Sequence, residues 1–211
     1  MSNNNGKEDD IKSDISGRFE QNLERVRNLV EIYSSSLKDG SSGRRSCNKT
    51  DILRAAVVLL HATMEELLRS LTYWKLPISQ ADTLKNIPLF VKKESPYHKF
   101  DLTVLAKFRG KSVDDVIVES VNEHLNCSNY SSTDDISAAL KKLNITVDNV
   151  NSDFPLLVKL IQRRHHIVHR ADRNDTSGRG NHKYRSLGLK EVNRWIEGIE
   201  STGKSILNEI N

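Results

Sequence analysis

Cysteine is scarce: Cys47 and Cys127 are the only two in 211 residues, too few for a disulfide framework. A reducing cytoplasm is the expected setting. No apolar run approaches the roughly 18 residues that a membrane span needs. The first twelve residues are polar, so nothing there resembles a secretory leader. Proline is rare, and Pro77, Pro88 and Pro96 fall where a long helix must end or break. Hydrophobic residues make up 36%, a lean content that leaves some segments exposed. Strand hairpins and internal repeats are absent from the pattern.

What the chain does have is charge of a particular kind. Lys and Arg number 32 against 28 Asp and Glu, a net charge of +4 and a mild bias towards anionic partners. The bias is local. Between positions 163 and 185 stand Arg163, Arg164, Arg170, Arg173, Arg179, Lys183 and Arg185, against Asp172 and Asp175. Within this stretch, Arg163-Arg164-His165-His166-Ile167-Val168-His169-Arg170 packs three histidines and three arginines into eight residues. Histidine changes charge near neutral pH, and arginine is the permanent fork-shaped cation that grips phosphate. Together they can move a proton and stabilise a phosphate, as cleavage of an RNA backbone requires.

Apolar spacing predicts an all-α fold. Residues 1–12 are Asn-rich and charged and are expected to form a disordered tail, with residues 13–211 as one helical domain. Phe19, Leu23, Val26, Val30, Tyr33 and Leu37 recur at steps of three and four, which predicts a helix over 16–37. A loop follows, then a core helix that starts near Asn48 or Thr50, carries Leu53, Val57, Leu60, Met64, Leu67, Leu68 and Leu71, and stops before Pro77. Short helices are expected over 102–108, 113–125 and 133–143, the last capped by Thr133-Asp134-Asp135. A helix over 154–170 carries the His/Arg cluster, held in the core by Ile161, Ile167 and Val168. A basic loop over 171–186 leads to a final helix over 189–210 with Val192, Trp195, Ile196, Ile199, Ile206 and Ile210 on its apolar side.

Arg164, four residues, then His169 resembles the Arg-x4-6-His motif of the HEPN superfamily, helical domains many of which are metal-independent ribonucleases. The order of motif helix, polar loop and final helix with Trp195 is similar too. So is the earlier helix segment from Leu59 to Arg69, where such domains often turn an acidic residue towards the site. The resemblance covers roughly residues 15–210. It implies a helical bundle around two long antiparallel helices, a homodimer with the site at the interface, and Arg164, His165 and His169 as the site. Arg163 offers an overlapping Arg-x5-His reading. Arg163, His166, Arg170 and Glu66 are the expected RNA-binding residues around it.

Cleavage without metal needs a base for the 2′-hydroxyl proton, an acid for the leaving 5′-oxygen, and positive charge for the phosphorane-like transition state. His169 is the first candidate for base or acid, Arg164 for phosphate, and His165 for orientation or the second proton. His165 and His169 share a helix face, whereas Arg164 and His169 lie about 140° apart around the axis. A bent arginine, or an arginine from a second subunit, has to close that gap.

Plainer readings stand beside these. The cluster could be a solvated helix face, with Arg163 and Arg170 in salt bridges. His165 and His169 have zinc-compatible spacing, with Asp172 or His182 as a third ligand. His61 reads as a core histidine, Glu65 and Glu66 as surface or salt-bridge charges, one of which could touch the site, and Trp74 and Trp195 as core. The expected function is a metal-independent endoribonuclease with no cofactor, toxin-like or defence-associated, acting on RNA and restrained by a neutralising protein partner. The alternative is a non-catalytic module that binds RNA, a nucleotide or a protein.

Overall fold

The computed structural model describes residues 2–38, 47–90, 102–174 and 184–210. Helix α1 (Ser2–Lys38) and helix α2 (Cys47–Lys75) form the long antiparallel pair that the family resemblance implies. Their direction is fixed by contacts at both ends. Glu8 pairs with Lys75 at 3.0 Å, and Lys49 Nζ donates to the Ser36 carbonyl. Phe19, Leu23, Val26 and Tyr33 of α1 and Leu53, Val57, Leu60, Leu67, Leu68 and Leu71 of α2 are buried between them and the rest of the bundle. The three-and-four spacing thus marks a real core face.

The disordered tail expected over residues 1–12 is corrected: α1 begins at Ser2. Its first turns are held from a distance, by Lys75 on Glu8 and by the Ile210 carbonyl, which accepts from Lys12 Nζ at 2.6 Å. Polar composition describes the outer face of this segment and says nothing of those anchors.

Three short helices follow: α3 (Ala81–Leu84), α4 (Leu102–Ala106) and α5 (Val113–Asn126). Gly110, at φ 83°, takes the left-handed turn between α4 and α5 that glycine adopts freely. Ser112 opens α5 with a reciprocal cap: its hydroxyl accepts from the Asp115 N–H, and the Asp115 carboxylate accepts from the Ser112 N–H. Helix α6 (Thr133–Lys142) is capped one residue earlier than expected, by Ser132. Leu76, Val121 and Leu125 form a small second core beneath this region.

Helix α7 (Phe154–Arg170) lies against α2, α6 and helix α8 (Leu189–Glu209). Leu157 and Leu160 are its buried anchors, with Ile161 and Ile167 half-buried beside them. Val168 does not join the core: it is 47% exposed, one step past the buried face. Helix α8 buries Val192, Trp195, Ile196, Ile199 and Ile206 as its spacing predicts. It meets α1 closely at Gly203, where a Cβ would stand 2.2 Å from the Phe19 ring. The fold is all-α, with an isolated antiparallel bridge, Arg173 to Tyr184, among the described residues. No described helix is long and apolar enough to cross a membrane.

Candidate active site

Helix α7 stops where Ala171 and Asp172 turn left-handed, at φ 47° and 54°. The Asp172 N–H closes the end of the helix by donating to the His166 carbonyl at 3.0 Å. That reversal sends the Asp172 side chain inwards, where it is fully buried. Its Oδ2 accepts from Arg54 Nε of α2 and from Arg163 Nη2 of α7, both at 2.7 Å. The same two guanidinium groups donate to the Arg185 carbonyl at 3.0 and 3.1 Å. The Arg185 N–H returns a bond to the Asp172 carbonyl at 2.9 Å. A buried carboxylate between two cations therefore joins α2, α7 and both ends of the following loop.

This arrangement separates the two candidate arginines. Arg163 belongs to the buried clasp. Its burial lowers its pKa, against which the Asp172 charge acts. Arg164 is half-buried, and its charge reaches Glu65 of α2. The Glu65 carboxyl is lowered first by the polar contact with His61, against burial, and then by the charge of Arg164 and a hydrogen bond from the Tyr130 backbone. His61 Nδ1 stands 3.5 Å from Glu65 Oε2, and His61 is itself buried.

The two imidazoles of the motif lie on the open side of α7. His165 and His169 are both exposed, their ring centroids 4.5 Å apart with planes tilted by 44°. No hydrogen bond joins Arg164 to either ring among the described contacts. His166 points elsewhere. It is half-buried and edge-on to His165, with centroids 6.3 Å apart. Desolvation, then the charges of Arg185 and Arg170, push its pKa down. Arg170 is exposed on the last turn of α7.

Glu66 is not brought to this cluster. Its Oε1 accepts from Arg18 Nε at 3.2 Å and from Ser70 Oγ at 2.8 Å, on the α1 side of α2. One residue is about 100° of helix, and that rotation puts Glu65 at α7 instead. Asp172, a candidate third metal ligand, is held by two guanidinium groups, and His182 lies outside the described residues. Among the described residues no group of three His, Cys, Asp or Glu side chains could hold a metal ion.

Arg54 is missing from the sequence-based site, yet a signal for it exists. Arg54, His61, Glu65 and Thr72 fall within about 20° of one line along α2. A charged residue in phase with buried positions of an apolar helix needs a partner. The strip says that a polar surface faces α2, without saying which residue answers it.

A protein-family model described as RiboL-PSP-HEPN matches residues 20–211. No curated protein and no solved structure matches the chain. The family match covers α1 from residue 20, all of α2 and the α7 motif, and it agrees with the all-α architecture. The chain therefore belongs to the RiboL-PSP-HEPN family of HEPN domains.

Proposed function

We propose that this chain is an endoribonuclease that cleaves RNA without a metal, by attack of a 2′-hydroxyl on the adjacent phosphorus. The observation that carries this reading is the exposed pair His165 and His169, 4.5 Å apart at the rings. One imidazole takes the 2′ proton and the other protonates the departing 5′-oxygen. The products are a 2′,3′-cyclic phosphate and a 5′-hydroxyl. Arg164 supplies charge to the transition state.

Arg164 and His169 lie about 140° apart around α7, so in this reading the complete site draws on two copies in a two-fold homodimer. The outer face of α7 suits such a contact, because Val158 and Val168 are exposed there at 37% and 47%. An RNase active on cellular RNA requires restraint, which a neutralising protein partner would provide in a toxin-like or defence role.

The test is end chemistry. A labelled single-stranded RNA incubated in EDTA should yield cyclic-phosphate and 5′-hydroxyl ends. Loss of cleavage in EDTA, restored by one divalent ion, would overturn the reading. Binding without cleavage would favour the non-catalytic module.

A further inference from the structure

Among the described residues Tyr184 is the one Phe, Tyr or Trp that is exposed, at 40%. Its position is not that of a loose surface residue. Its backbone is bridged to Arg173, just beyond the end of α7. One side of its ring is covered by the Arg54 guanidinium, 5.5 Å from the centroid. Arg54 is only 8% exposed and is held by Asp172, Asp51 and the Arg185 carbonyl. A cation fixed by three acceptors thus backs the ring and sets its plane.

We infer that Tyr184 is a stacking platform for an unpaired nucleobase of the RNA, just beyond the end of α7. This rests on the nuclease reading and adds to it a base contact outside the His/Arg motif. Tyr184 keeps 40% of its surface exposed, area that a planar ligand can cover, and every base has a π-face to offer. The neighbouring charges suit the rest of a nucleotide. Arg185 follows Tyr184 in the chain and Arg170 is exposed on the last turn of α7, so phosphates flanking a stacked base meet positive charge there. Base recognition by aromatic stacking is how proteins hold unpaired RNA, whose bases are free to leave the helix stack. The Arg54–Asp172–Arg163 clasp then has a second consequence. It fixes the platform relative to α7, because Arg163 and Arg54 grip the same carboxylate.

The experiment uses the full chain and two fluorescent single-stranded RNAs, both 2′-O-methylated so that 2′ attack is blocked. One carries normal bases; the other has abasic residues at its centre. Wild type should bind the base-bearing strand at least about 5-fold more tightly than the abasic one. Tyr184→Phe and Tyr184→Trp should keep that preference. Tyr184→Leu and Tyr184→Ala should lose roughly 5- to 100-fold in affinity for the base-bearing strand, and bind the two strands alike. The Leu variant retains apolar bulk over Arg54, so it separates stacking from simple cover. If it discriminates between the strands as wild type does, or if both strands weaken equally, Tyr184 is not a base platform. Wild type that shows no preference overturns the inference as well. Failure of the nuclease reading shows up separately, as no cleavage of unmodified RNA by wild type.

Discussion

Arg163 and Arg164 are adjacent in the chain and serve different neighbours: Arg163 Nη2 donates to the buried Asp172 at 2.7 Å, while the charge of Arg164 falls on Glu65 of α2. The overlapping motif readings over these two arginines are therefore physically distinct.

Replacement of each arginine should separate stability from activity. Arg163→Ala leaves a fully buried carboxylate with one of its two cations. Breaking such a buried pair costs about 3–5 kcal/mol, and retention of Arg54 places this case near the lower end. Urea unfolding should register that loss. Arg164→Ala should unfold close to wild type and lose cleavage. An Arg163 variant as stable as wild type would refute the structural role of the clasp.

His169→Ala is expected to cut the cleavage rate by about 10²–10⁴ while leaving most RNA affinity in place. His165→Ala should also lower the rate, because its ring completes the exposed pair. Single-turnover rates and equilibrium binding, measured on the same preparations, decide the matter. A His169 variant that cleaves at the wild-type rate removes this site from consideration.

Subunit mixing tests how the site is assembled. Arg164→Ala and His169→Ala proteins, each inactive alone, are combined and allowed to exchange. If the arginine and histidine of one site come from different chains, the mixed dimer holds one intact site and activity returns to a fraction of wild type. If both come from one chain, every mixed dimer has two damaged sites and nothing returns. A monomer by light scattering at micromolar concentration would also exclude the shared site.

Acid should weaken the fold partly through Glu65. Its folded-state pKa is lowered from 4.5, by the contact with His61 first and Arg164 later. A depressed carboxylate stabilises the fold above its unfolded pKa, and that contribution disappears as pH falls through the folded value. Glu65→Gln should therefore be less stable than wild type at neutral pH, and the gap should narrow below about pH 4.5. Urea midpoints across pH measure it; a gap of constant size would show that the carboxylate charge is not the cause.

The helices legible in the sequence are those whose packing repeats locally. Leu53, Val57, Leu60, Leu67 and Leu71 are all buried, and α7 spans 154–170 as its pattern indicates. The segment before residue 13 was not legible, because its anchors are Lys75 and Ile210, far along the chain. Glu65 and Glu66 look equivalent in sequence; only the rotation of α2 against α1 and α7 tells them apart. Arg54 and Asp172 are 118 residues apart, and no periodicity links them. Val168 shows the opposite error: an apolar residue inside the motif reads as core, yet it lies on the outer face.

The bridge between Arg173 and Tyr184 gives the intervening chain a common point of departure and return. Its two feet are fixed by hydrogen bonds that do not involve the residues between them. Loop closure becomes less favourable only slowly with length, by about 0.6 kcal/mol per doubling. A change in the number of residues between these feet would therefore alter the cost of closing this segment only slightly, with Arg185 at the far foot still tied to Asp172 and Arg54.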